Sequence, residues 1–206
     1  MASNSSSGSR TGIIIGVVGG LVVLLLIAAV MFGNEEIGAE YGSPELNGTS
    51  LPPMPDQVSV DTSATGLVAP DIFGQDYTGN DVSITNDGTA KGIVFLAHWC
   101  QFCQREVPRV QQWLDSGGGV DGVDLYSVST AANSAQPNHP ASEWLVREGW
   151  TVPIVVDDKA NSALSAYGRG GFPYWVFLNA DGTVALRSAG ELTDAQLEEF
   201  LNSLEK

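Results

Sequence analysis

A five-residue apolar run, Ile93-Val94-Phe95-Leu96-Ala97, stops just short of Cys100, and Cys100 and Cys103 are the only cysteines among the chain's 206 residues. Lys91-Gly92 bounds the run on one side and the cysteine pair on the other, so it reads as a short buried strand. From Cys100 to Leu114 the pattern is helical, and Ser116-Gly117-Gly118-Gly119 ends it. Two cysteines alone exclude a disulfide-stapled miniprotein and a four-cysteine zinc site. They also sit where a strand hands over to a helix, which is a place for chemistry.

Similar short elements continue on both sides. Asp71-Ile72-Phe73-Gly74-Gln75 and Asp81-Val82-Ser83-Ile84 flank Tyr77-Thr78-Gly79-Asn80, a hairpin signal. Val123 to Val128 reads as a strand, Pro140 to Gly149 as a helix with proline at its start, Pro153 to Val156 as a strand and Asn161 to Tyr167 as a short helix stopped by Gly168. Tyr174–Leu178 and Thr183–Arg187 flank Asn179-Ala180-Asp181-Gly182, a second hairpin. Thr193 is placed to cap a last helix with Leu197, Phe200, Leu201 and Leu204 on one face. Strands alternating with helices predict an α/β sandwich with a partly parallel sheet. No internal repeat is visible.

The N-terminal third has a different texture. Ile13 to Phe32 carries no charge over twenty residues, the length a helix needs to cross the bilayer hydrocarbon. Arg10 precedes it and Glu35, Glu36 and Glu40 follow, which places residues 1–12 in the cytoplasm and the rest outside. A cleavable signal peptide would have a shorter apolar region and small residues at its end, whereas this one ends Val30-Met31-Phe32-Gly33. Gly12, Gly16 and Gly20 fall at helix-packing spacing within a run of small residues. Residues 33–65 are rich in Gly, Ser, Pro, Thr and Glu, include the stiff Leu51-Pro52-Pro53-Met54-Pro55, and read as a flexible linker. Asn47-Gly48-Thr49 matches a glycosylation sequon. The formal net charge is −15, from 9 basic and 24 acidic residues, which excludes a nucleic-acid binder and fits a self-repelling soluble surface. The expected organisation is a cytoplasmic tail (1–12), a single transmembrane helix (13–32), a linker (33–65) and one domain (66–206).

The chemistry centres on Trp99-Cys100-Gln101-Phe102-Cys103. Free N–H groups and the positive dipole end of the helix favour a thiolate on Cys100, and the thiolate is the form that attacks disulfides. Two intervening residues let Cys103 reach the sulfur of Cys100 and resolve a mixed disulfide. A static disulfide across so small a ring would add little stability, because loop-closure entropy grows with loop length. A metal site would recruit His98 and His139, about forty residues apart. Glu106 stands one helical turn after Cys103 on roughly the same face, where a partly buried carboxylate can exchange protons with the thiols. An ordinary surface glutamate is the alternative. Pro108 lies inside the helix and should kink it. His98 either lowers the Cys100 pKa when protonated or simply faces solvent. Trp99 is expected beside Cys100, shielding one side or filling core. Trp113, Trp144, Trp150 and Trp175 read as core or surface patches.

From Gly66 to Lys206 the chain resembles the thioredoxin-like fold, within it the membrane-anchored TlpA/ResA-like thiol–disulfide oxidoreductases of the bacterial cell envelope. The residues that carry the resemblance are Ala69-Pro70-Asp71, Phe95 to Cys103, the C-x-x-C-x-x-E-x-P pattern completed by Glu106 and Pro108, Gly171-Phe172-Pro173 and Asn179-Ala180-Asp181-Gly182. Ile72 before Phe73, Gln101 and Phe102 between the cysteines, and Phe172 before the proline depart from common patterns. So does the strand before the motif, which has no acid. The resemblance implies a three-layer sandwich around a central mixed sheet with a βα insertion. It further implies Cys100 and Cys103 as a redox-active disulfide, with Cys100 attacking and Cys103 resolving, Glu106 assisting proton transfer, and a cis Pro173 that turns the Phe172 backbone towards a substrate strand beside Trp99. The implied partners are disulfide or dithiol proteins outside the cytoplasmic membrane and a transmembrane electron donor or re-oxidant, with the lipid bilayer contacted through Ile13–Phe32. No cofactor and no metal are implied, and a reductant is favoured over an oxidant. The rival class is a non-enzymatic binding module whose cysteines form a structural disulfide or hold a metal.

Overall fold

The computed structural model of the chain describes residues 40–206. The expected tail, the expected transmembrane helix Ile13–Phe32 and the start of the expected linker lie outside the described residues. Among the described residues no helix is long and apolar enough to cross a membrane.

A mixed sheet forms the middle layer. Its strands are β2 (Val60–Asp61), β5 (Ala90–Leu96), β6 (Val123–Ser129), β7 (Ile154–Val156), β8 (Tyr174–Leu178) and β9 (Val184–Ala189), in the order β2-β9-β8-β5-β6-β7. β5, β6 and β7 run parallel, whereas β8 and β9 form the expected antiparallel hairpin and β2 pairs antiparallel to β9. β1 (Glu45–Asn47), β3 (Asp71–Gln75) and β4 (Asp81–Ile84) form a second, antiparallel sheet in the order β1-β3-β4. The helices are α1 (Gln101–Asp115), α2 (Ala141–Arg147), α3 (Ser162–Ala166) and α4 (Asp194–Asn202).

Side chains alternate across the pleat, so each central strand feeds two cores. Ile93 and Phe95 of β5, with Tyr174, Val176 and Leu178 of β8, pack into one core together with Ile72 and Ile84 of the small sheet and Leu164 of α3. Val94 and Leu96, with Trp175 and Phe177, pack into the other, against Val107 and Val110 of α1, Trp144 of α2, and Leu197 and Leu201 of α4. β5 is buried along its whole length, which explains why it reads as an unbroken apolar run and not as an alternation. α2 and β7 lie between β6 and β8 in the chain, and β7 extends the sheet edge. α1 continues through Pro108 as one helix of 15 residues. Thr193 caps α4 in a capping box, its hydroxyl accepting from the Gln196 N–H while the Gln196 side chain accepts from the Thr193 N–H.

The linker expectation needs correction from Glu40 onwards. Leu51, Met54 and Ala64 are buried in the first core. The Leu51 N–H donates to the Ala166 carbonyl at 2.8 Å and the Met54 N–H to the Gly168 carbonyl at 2.7 Å. Arg187 of β9 is fully buried, donates from Nε to Asp61 Oδ2 at 2.8 Å, and donates from Nη1 to the Pro52 carbonyl at 2.7 Å. A segment held by backbone bonds and one buried ion pair needs no amphipathic period, so its composition read as a tether.

Candidate active site

β5 ends at Leu96, and four residues later the chain turns into α1 at Cys100. Cys100 is the N-cap, with extended backbone at φ −73°, and no side chain caps the first turn. The N–H groups left free there point at sulfur. The pKa of Cys100 falls from about 9 to about 6, first because the Cys103 side chain hydrogen-bonds to it and then because the Cys103 and Phe102 backbone N–H groups and the Arg105 charge outweigh burial. As a thiol, Cys100 Sγ donates to the Phe172 carbonyl at 3.6 Å.

Cys103 lies one turn inside α1 and has no exposed surface. Burial pushes its pKa far up, and the Cys100 and Glu106 charges add to that. Both cysteines are free thiols in the structure. One sulfur is thus poised as a thiolate at the surface side, and the other is held protonated behind it.

Glu106 is 1% exposed. Its Oε1 accepts from the Leu192 N–H at 2.9 Å and from Arg109 Nη2 at 3.2 Å, and its Oε2 accepts from Trp175 Nε1 at 3.2 Å. Burial raises its pKa to about 7 against the lowering pull of those donors. The carboxyl therefore joins α1, β8 and the loop that enters α4. The surface-glutamate alternative is overturned.

Phe172–Pro173 is a cis peptide at the start of β8. Trp99 is 37% exposed, its Nε1 donates to the Ala131 carbonyl at 2.7 Å, and its ring stands edge-on to Phe172 at 5.9 Å. The structure thus brings together Trp99, Cys100, Cys103, Phe172 and Pro173, with Glu106 beneath them.

His98 takes neither expected place. It is 1% exposed; Nε2 accepts from the Asn133 N–H at 3.0 Å, so Nδ1 carries the proton and donates to the Pro137 carbonyl at 2.7 Å. Burial, chiefly, lowers its pKa. Both ring nitrogens are occupied, and His98 holds the loop after β6 instead of supplying a metal ligand. Among the described residues no group of three or more His, Cys, Asp or Glu side chains is placed to hold a metal ion. Trp175, read from sequence as core or surface filling, is indeed buried, but its indole N–H reaches Glu106. That contact needs the pairing of β8 beside β5, which no local pattern encodes.

No family model matches the chain. It is 30% identical over 143 residues to the thiol-disulfide oxidoreductase ResA of Geobacillus thermodenitrificans, a match covering 68% of this chain and 78% of that protein. It is 30% identical over 122 residues to sporulation thiol-disulfide oxidoreductase A of Bacillus subtilis, covering 59% and 72%. Among solved structures it is similar to StoA of Bacillus subtilis, with a TM-score of 0.51, 27% identity, and coverage of 71% of this chain and 98% of that one.

Proposed function

The chain belongs to the ResA family of thioredoxin-like thiol–disulfide oxidoreductases, and on that premise we propose that it exchanges disulfides with protein partners through Cys100 and Cys103, in the reducing direction, outside a membrane that Ile13–Phe32 crosses. The observation that carries this reading is the split between the two thiols: Cys100 lowered to about 6 at a helix start and Cys103 raised behind it. The Cys100 thiolate attacks one sulfur of a partner disulfide. A mixed disulfide forms and the partner's other sulfur leaves as a thiolate. Cys103 then loses its proton to the Glu106 carboxylate and attacks Cys100 Sγ. The Cys100–Cys103 disulfide forms, the partner's second thiolate leaves, and two electrons have passed to the partner. Glu106 suits the task because a pKa of about 7 leaves it partly ionised near neutrality, able to take a proton and to give it back. Trp99 and the Phe172–Pro173 turn orient the partner's chain.

The lowered Cys100 pKa works against this direction, but by too little to reverse it. A thiolate stabilised from about 9 to about 6 favours the reduced form at pH 7 by roughly one pKa unit, about 1.4 kcal/mol or ~30 mV. Roughly 150 mV separates thioredoxin from a strong oxidant such as DsbA, so this increment alone does not make an oxidant. A reductant outside the membrane draws electrons from a transmembrane donor, and the reaction needs no cofactor. In this reading residues 1–12 are cytoplasmic, and the folded domain begins at about Glu40, not at Gly66.

The test is the reduction potential of the pair together with two variants. A potential near −270 mV supports the reductant, and one near −120 mV overturns the direction. Cys100→Ser should abolish turnover, while Cys103→Ser should accumulate mixed disulfides. Unchanged activity in both variants would refute the assignment.

A further inference from the structure

Beside Cys100 lies a groove of about 660 Å³. One wall is Phe102, on the first turn of α1, with Phe172. The floor is Gly170-Gly171, and the far wall is the segment Met54–Ser59, which precedes the small sheet's β3–β4 hairpin in the chain. That far wall is fixed at both ends. The Met54 N–H is bound to the Gly168 carbonyl, and the Ser59 carbonyl accepts from the Ala189 N–H at 2.8 Å. Between these bonds the chain turns through Gln57, at φ +61°, and Val58, 39% exposed, lines the same groove as Phe102, 43% exposed.

The floor is bare backbone. A Cβ on Gly170 would sit 2.0 Å from the buried Tyr174 ring, a packing requirement beneath the floor, whereas one on Gly171 would meet only Ala189 at 3.8 Å, so the space above Gly171 is open. Among the described residues nothing pairs with the N–H groups of Gly171 and Phe172. An extended chain can therefore approach closely and bond to them, as in strand addition. Two rim charges have partners, Arg169 donating to Ser165 Oγ at 2.7 Å and Glu191 accepting from Arg105 at 2.8 Å, and Asp56 adds a carboxylate to the Met54–Ser59 wall. The groove also offers apolar surface at Val58 and at Phe102, over whose ring the Arg105 guanidinium lies 4.8 Å from the centroid.

We propose that Met54–Ser59 is the second wall of the substrate groove, and that the protein prefers partners presenting their reactive cysteine in an extended segment with a large apolar residue beside it. This rests on Cys100 being the attacking sulfur, because the mixed disulfide fixes the partner's cysteine at the groove's end. The neighbouring apolar side chain then packs between Val58 and Phe102 and leaves water.

The test uses the pre-reduced full chain and two disulfide-linked peptides that differ only in leucine or glycine beside the cysteine. The expected ratio of their reduction rates (kcat/KM) is about tenfold in favour of leucine, a discrimination of about 1.4 kcal/mol. Val58→Glu should bring the ratio close to one, and Val58→Ile should keep it. A wild-type ratio near one, a ratio that Val58→Glu leaves unaltered, or an equal fall on both peptides would overturn the groove. Reduction of neither peptide by the wild type would instead overturn the redox role of Cys100, and the groove with it.

Discussion

Two buried carboxylates of this domain, Asp61 and Glu106, each face one guanidinium, Arg187 and Arg109, and the fold drives them in opposite directions. Asp61 is 5% exposed and Glu106 1%. Burial alone would raise both. At Asp61 it is outweighed by bonds from Ser63 and by the Arg187 guanidinium, which binds through Nε and Nη2, and the pKa is lowered. At Glu106 the donors are mostly neutral, Leu192 N–H and Trp175 Nε1–H. Its one cation, Arg109, is shared with Asp194 and partly exposed. Burial wins there and the carboxyl rises to about 7. A fully embraced carboxylate is a clamp; a half-compensated one is a proton carrier.

The largest effect should come from breaking the clamp. Arg187→Met leaves Asp61 buried without its cation and frees the Pro52 carbonyl, at a cost of about 3–5 kcal/mol by urea denaturation. The double variant Asp61→Leu/Arg187→Met should recover a large part of it. A single-variant cost under about 1 kcal/mol would break the comparison, because Asp61 would then not depend on its partner.

The next effect is a difference in sign with pH. Glu106 is raised in the folded state, so its contribution is fully present below its ordinary pKa of 4.5 and is lost as pH climbs to about 7. The loss is up to about 3 kcal/mol. Asp61 is lowered, so its contribution is present above its ordinary pKa of 3.8 and is lost as pH falls below that. Stability measured across pH 4–8 should fall with rising pH in the wild type relative to Glu106→Gln, which has no such slope. The Gln variant should start lower, because its amide NH2 must face one of the two N–H donors, a cost of about 1–3 kcal/mol. Parallel curves for the two proteins would remove Glu106 from the role of proton carrier.

The two carboxylates also differ in how far sequence alone reveals them. Cys100, Cys103 and Glu106 share one helix, so their spacing places them on one face before any fold is known. The β5 run, the β8–β9 hairpin and the Thr193 cap are local signals, and each stands where its pattern puts it. The Asp61–Arg187 pair spans 126 positions of chain and bridges β2 to β9. Asp61 lies in a stretch whose proline and serine content mimics a linker, and that cost the reading the whole 40–65 segment. The neutral donors to Glu106 escape for the same reason. Trp175 and Leu192 meet it only once β8 pairs with β5 and the loop into α4 closes over α1. His98 adds a third case, since its loop partners Asn133 and Pro137 lie in a segment without regular structure.

Those neutral donors give the third effect. Trp175→Phe keeps a ring to stack on Phe177, whose centroid lies 5.7 Å away, but deletes the N–H that Glu106 Oε2 accepts. A bond to a charged group contributes about 1.5–3 kcal/mol. The Glu106 pKa, followed by NMR of the labelled carboxyl, should therefore rise by about one to two units.

Arg109→Gln should act least. Arg109 approaches Oε1 with one nitrogen at 3.2 Å, gives another to Asp194, and keeps 27% of its side chain in solvent. Solvent screens such a contact to about 1 kcal/mol or less, so the upward shift of Glu106 should stay under about one unit and shrink further in salt. The order of these last two variants decides between two pictures of the site. If Trp175→Phe moves Glu106 more, the carboxyl is tuned by dry neutral donors and stays near neutrality whatever the ionic strength outside. If Arg109→Gln moves it more, Glu106 is an ion-paired group like Asp61, and the contrast between the two carboxylates is one of degree.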